Sequence, residues 1–132
     1  QINPIRIIIM VKSKLRNSWK KNLRPGNMKI VWTDFASSTL QEIFDYYSEK
    51  ASRKIARKIK SRIFTATKVL PRQPQLGQEE LSLIKLNQGH RYIVEGNYKI
   101  IYRIKDEDII ITDVFDCRQD PVKMNDPKRG KQ

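Results

Sequence analysis

Gly89-His90-Arg91-Tyr92-Ile93-Val94-Glu95-Gly96-Asn97-Tyr98-Lys99-Ile100-Ile101-Tyr102-Arg103-Ile104 is the stretch of this 132-residue chain that decides its fold. Residues 90–95 and 98–104 are rich in β-branched and aromatic side chains, and the Gly96-Asn97 pair between them suits a type II′ hairpin turn. Side chains alternate along a strand, so Tyr98, Ile100, Tyr102 and Ile104 point one way while Lys99, Ile101 and Arg103 point the other. Residues 105–108 make a second turn, and residues 109–115 form a third β-rich run. Three strands joined by tight turns predict an antiparallel meander with one face available for burial.

Upstream, Pro71, Pro74 and Gly77 break the chain and open a polar loop. Before that loop lie two segments of helical periodicity. Thr33 and Asp34 offer N-cap oxygens to the first, in which Phe35, Leu40, Ile43, Phe44 and Tyr47 recur at three- and four-residue spacing. Ser52 caps the second, with Ile55, Ile59, Ile63, Ala66 and Leu70 as its apolar stripe and Arg53, Lys54, Arg57, Lys58, Lys60 and Arg62 on its other faces. Two such helices predict a hairpin whose apolar stripes cover the sheet. Residues 29–33 read as a first strand. The expected class is α+β: an N-terminal strand, an α-helical hairpin, then a three-stranded antiparallel meander.

The sequence divides into a basic leader at 1–27, a domain at 28–125 and a basic tail at 126–132. The leader ends in the breaker cluster Arg24-Pro25-Gly26-Asn27, after which Met28 opens a compact unit. The leader is expected to be disordered or not native, with Met28 or else Met10 as the start; a basic nucleic-acid-binding arm is the competing reading. After Met124 the tail is expected to be loose.

The formal net charge is +13, and the leader holds seven basic residues and no acid, which leaves 20 basic against 14 acidic residues beyond it. That balance favours polyanionic partners. With 39% hydrophobic and 31% charged residues, a mean hydropathy of −0.63 and no apolar run near the ~20 residues that span a bilayer, the composition argues against a membrane protein. Residues 5–11 are apolar apart from Arg6, but the cations follow them, the reverse of a secretory signal. The lone Cys117 allows no intrachain disulfide and no cysteine zinc site, so the cytoplasm is the expected compartment.

No Walker loop, GxGxxG, HExxH or GxSxG motif occurs, and neither a cofactor nor a metal is expected. Chemistry would rest on Lys, Arg, Tyr and carboxylates. A sheet face bearing Lys99, Arg91 and Arg118 could hold phosphates and stabilise a pentavalent transition state; an ordinary solvated face with cross-strand ion pairs is the plainer reading of the same residues. The cations of the second helix offer a nucleic-acid contact or simply its wet side. His90 and Cys117 read as structural, and Trp32, Tyr46 and Tyr47 as packing.

Four segments together resemble the RelE/ParE toxin superfamily over about residues 28–125. Met28-Lys29-Ile30-Val31-Trp32-Thr33 with Phe35-Ala36 looks like that family's first strand and helix entry, and Pro71-Arg72-Gln73-Pro74-Gln75-Leu76-Gly77 like its loop after the hairpin. The opening stretch, residues 89–104, is similar to its most recognisable segment, and Val114-Phe115-Asp116-Cys117-Arg118-Gln119-Asp120-Pro121 to its last strand and exit. The resemblance implies the toxin of a type II toxin–antitoxin (plasmid stabilisation) module, held by an antitoxin whose extended segment wraps its helices and sheet. It implies either of two activities: ParE-like inhibition of DNA gyrase, which needs no hydrolysis, or RelE-like cleavage of mRNA on the ribosome. A non-toxic nucleic-acid- or ribosome-binding protein on the same fold is a third reading. Lys99 and Arg118 fall at positions matching basic catalytic residues of RelE-like toxins, with Arg91 in the same meander. Lys99 would then be the base and Arg118 the phosphate clamp. The C-terminal tyrosine or histidine of many RelE-like nucleases has no counterpart, since Gln119, Asp120, Pro121, Val122, Lys123 and Met124 follow Arg118.

Overall fold

The structure is a computed structural model and describes residues 28–129, so the leader lies outside the described residues. The chain runs β1 (Lys29–Trp32), α1 (Asp34–Lys50), α2 (Arg53–Ala66), β2 (Gln78–Glu79), β3 (Arg91–Glu95), β4 (Tyr98–Lys105) and β5 (Asp108–Asp116). Short 3-10 turns occupy Thr67–Val69, Leu81–Leu86 and Pro121–Asn125.

Both helices begin where side-chain oxygens can replace missing backbone acceptors. Thr33 Oγ1 accepts from the Ala36 amide at 3.1 Å and Ser52 Oγ from the Ile55 amide at 3.1 Å. Each cap contributes on the order of 1 kcal/mol. Ala36, Leu40 and Ile43 of α1 and Ala56 and Ile63 of α2 are buried. Ile55, assigned to the apolar stripe by spacing, is exposed: it lies one position before Ala56, hence about 100° around the helix from that buried contact.

β3, β4 and β5 form the expected meander, and Gly96 takes the positive φ of 60° that its hairpin turn requires. Two strands widen it to five in the order β1-β5-β4-β3-β2. β1 joins β5 in parallel, its Trp32 opposite Ile111, and the two-residue β2 adds to β3. The helical hairpin packs on one face, where Trp32, Leu40, Ile63, Tyr98, Ile100, Tyr102, Ile109, Ile111 and Val114 form the main core.

Register shifts between β4 and β5: Ile101 faces Asp113, whereas Tyr102 faces Ile111, which leaves Thr112 as an extra residue. This bulge reverses the alternation of β5. Before it Ile109 and Ile111 face the helices; after it Val114 does, while Phe115 turns to the far face.

The far face is covered around Ile101 and Phe115, contrary to the expected open and charged surface, while Val94 on the same face stays exposed. Leu83 and Met124 descend from the 3-10 turns onto Ile101 and Phe115 and form a second small core with Leu86 and Tyr92 beside it. The physical cause is apolar area: Ile101 and Phe115 are large side chains that the helices cannot reach from the other side. The expected basic tail at 126–132 is docked as far as it is described, because Arg129 makes two hydrogen bonds to Asp113, at 2.8 and 2.6 Å, and lies over the rings of Phe35 and Phe115. Among the described residues no helix is long and apolar enough to cross a membrane.

Candidate functional site

Lys99, Arg91 and Arg118, the three cations singled out from sequence, are held in three different places. Lys99 lies on the far face, opposite Phe115 in the ladder. Its Nζ donates to Glu80 Oε1 at 2.9 Å and sits 4.2 Å from the centre of the Tyr92 ring. Glu80 is only 3% exposed in its side chain, and its second oxygen accepts from the Ser82 amide at 3.0 Å, starting the 3-10 turn. The carboxylate that positions Lys99 thus also anchors the segment that roofs this face.

Arg91 belongs to the helix face, since it pairs with Tyr102 in the ladder. Its Nη1 donates to the Gly77 carbonyl at 2.7 Å. The same glycine's amide donates to Tyr102 Oη at 2.9 Å, and that hydroxyl donates to the Pro74 carbonyl at 2.7 Å. Arg91 and Tyr102 therefore secure the Pro74–Gly77 loop. Burial raises the Tyr102 pKa, partly offset by the Gly77 amide and the Arg91 charge. Gly77 is required by close approach: a Cβ there would lie 2.7 Å from the Tyr102 ring and from the Tyr92 carbonyl.

Arg118 follows β5 at the other end of the helix face. It grips Asp116 through Nε at 2.9 Å and Nη2 at 2.7 Å, while its amide donates to Asp116 Oδ1 at 2.9 Å. These bonds hold the Asp116 carboxyl below its ordinary pKa and raise that of Arg118, which also donates to the Tyr47 hydroxyl oxygen. Tyr47 also bonds Tyr98, whose hydroxyl is pushed up chiefly by burial. Tyr98, Asp116 and Arg118 border an open cavity of about 380 Å³, together with Phe35, Tyr46 and Arg129. Tyr46, expected to be packed, is exposed at its rim.

Lys99 and Arg118 are separated by the thickness of the sheet, and Arg91 is four ladder positions, about 13 Å, from the Arg118 end. The structure brings each to a carboxylate or a carbonyl and does not bring the three to one point. His90, on the far-face side, is buried with Nδ1 lacking a hydrogen-bond partner. Burial lowers its pKa, reinforced by Arg103 and opposed by Glu80. Cys117 is exposed, its amide bonded to the Asn97 carbonyl at 2.7 Å.

Sequence reasoning passed over a groove on the outer side of the helical hairpin. It has a volume of about 690 Å³, an apolar floor of Phe44 and Phe64, and a rim that includes Arg53, Arg57 and Lys60. Arg53 and Lys60 lie 5.8 and 5.2 Å from the centre of the Phe44 ring. The signal was present in the spacing of Arg53, Arg57, Lys60 and Phe64, which puts them on one helical line.

A β-strand, a helical hairpin and a sheet completed by a meander, with basic surfaces and paired cations, define a small basic α+β domain. The chain belongs to the ParE toxin family of type II toxin–antitoxin systems, parDE, whose family model matches residues 30–121. Among solved structures it is similar to a chain of a chromosomal ParDE toxin–antitoxin system from P. aeruginosa, with a TM-score of 0.59 and 22% identity over 69% of this chain and 97% of that one. That likeness concerns the fold. No curated protein matches. Membership of the family implies an antitoxin partner.

Proposed function

We propose that this toxin arrests growth by binding and inhibiting DNA gyrase in the cytoplasm, without hydrolysing RNA, and that a cognate antitoxin neutralises it. The observation that carries this reading is the separation of Lys99, Arg91 and Arg118. An endoribonuclease needs a base, a phosphate clamp and a proton donor converging on one ribose-phosphate. Here Lys99 is tied to Glu80 on one face of the sheet and Arg118 to Asp116 on the other. Inhibition by binding requires a surface and no such convergence.

The hairpin groove supports the antitoxin part of the reading. An apolar floor beneath Arg53, Arg57 and Lys60 suits an acidic segment carrying an aliphatic or aromatic anchor, whose burial masks the charge. Induced expression of the chain without antitoxin tests the proposal: plasmid supercoiling changes within minutes while primer extension shows intact messages. Ribosome-dependent cuts with normal supercoiling would replace it with the RelE-like reading, and unimpaired growth at verified expression would favour a non-toxic binding protein on this fold.

A further inference from the structure

α2 presents a second basic surface, distinct from the groove. Lys54, Lys58 and Arg62 recur at four-residue spacing and are exposed, with exposed Thr65 beyond them and exposed Ser61 on the border with the groove. This stripe lies about 100° around the helix from the line of Arg53 and Arg57. The cations of the groove line are partly engaged: Arg53 and Lys60 rest near Phe44, and Lys60 donates to Gln41 Oε1 at 3.1 Å. Lys54, Lys58 and Arg62 take part in no ion pair among the described residues. Glu95 borders the stripe beside Arg62 and Thr65, one acid against three cations.

The arrangement opposes what the helix itself favours. α2 has no acidic residue in its first turn, where the macrodipole favours negative charge, and carries Arg53 and Lys54 there instead. Lys54 with Lys58, and Lys58 with Arg62, are like-charge neighbours on one face, each pair destabilising the isolated helix. An external anion relieves both effects. Lysine, arginine, serine and threonine are the side chains that contact nucleic-acid phosphates and sugars without reading sequence. The stripe has no aromatic side chain on which an unpaired base could stack, which disfavours single strands. From Lys54 to Thr65 it is a straight rod of about 16 Å, suited to the backbone of a duplex.

We propose that the outer stripe of α2 is a sequence-independent binding surface for the phosphate backbone of double-stranded DNA. The proposal does not depend on whether gyrase is the toxin's target. Three neutralised phosphates contribute about 2.7 to the slope of log affinity against log salt, at about 0.9 per contact.

The test uses the full chain and a fluorescent mixed-sequence DNA duplex, titrated between about 50 and 200 mM salt. The native chain binds, and a Lys54→Gln/Lys58→Gln/Arg62→Gln variant with native circular dichroism loses about 2.7 from the slope. Over that salt range the variant's affinity then falls about 40-fold less than the native chain's. A Lys54→Arg/Lys58→Arg/Arg62→Lys variant keeps the native slope. An unchanged slope in the glutamine variant, tighter binding of a single strand than of the duplex, or binding of polyglutamate but not DNA would each overturn the proposal.

Discussion

Lys99→Met removes the ammonium from Glu80 and leaves a carboxylate in a site that is 3% exposed, retaining the Ser82 amide as its hydrogen-bond donor. Breaking a fully buried ion pair from one side costs about 3–5 kcal/mol. Lys99 keeps 23% exposure, so water screens part of that penalty, and the loss of its contact with the Tyr92 ring adds a fraction. The expected destabilisation is about 2–3 kcal/mol, read as a lower urea midpoint with an unchanged slope. Replacing both partners, Lys99→Met with Glu80→Leu, leaves no orphaned charge and forfeits only the Ser82 amide's acceptor, so the double variant should lie within about 1 kcal/mol of the native chain. A single variant that unfolds at the native midpoint, or a double variant no more stable than the single, would refute this reasoning. The pair of variants also matters for function: if the stable double variant remains toxic, Lys99 serves the fold, and loss of toxicity in Lys99→Met alone reports destabilisation.

Tyr102→Phe deprives the Gly77 amide and the Pro74 carbonyl of their partner and should cost about 2 kcal/mol, visible in thermal unfolding as a fall of roughly 8 °C; a Tm within a degree or so of native would contradict it. Arg129→Gln strips the bidentate partner from Asp113, 6% exposed beside the bulge, and should destabilise by about 2 kcal/mol, with Arg129→Lys recovering only part because it cannot form the fork; full recovery by lysine in urea unfolding would show that the geometry is unimportant. His90 has a folded pKa held below its ordinary 6.5 by burial, so the folded state binds this proton less readily than the unfolded chain. Its contribution is complete above pH 6.5 and is lost progressively as pH falls below that value, and a His90→Gln variant should show a flatter decline in stability between about pH 7 and 5. An equal decline in both proteins would assign the acid sensitivity elsewhere.

The elements with strong local signals were readable from the chain. Thr33 and Ser52 announce helix starts because their oxygens replace absent backbone acceptors, and Gly96 announces the hairpin because its turn needs a positive φ. Tyr98, Ile100, Tyr102 and Ile104 do face the helices, as alternation requires. What escaped has no periodic signature. β2 is two residues long, and the parallel docking of β1 on β5 is a tertiary choice that four residues cannot encode locally. The bulge at Thr112 leaves composition unchanged while reversing which side of β5 faces the helices. The roof over the far face depends on Leu83 and Met124, 41 positions apart in sequence and joined only by the fold. For the site, residue type identified the cations but not their partners. Glu80 in a loop and Asp116 at a strand end decide that Lys99 and Arg118 are restrained on opposite faces.

The most direct measurement of the central claim places the purified chain in two parallel reactions, DNA gyrase with relaxed plasmid and translating ribosomes with a defined message. Inhibition without hydrolysis requires gyrase supercoiling to fall with increasing chain while the message stays whole. Cleaved message beside unimpaired supercoiling would contradict it and return Lys99 and Arg118 to the role of catalytic groups.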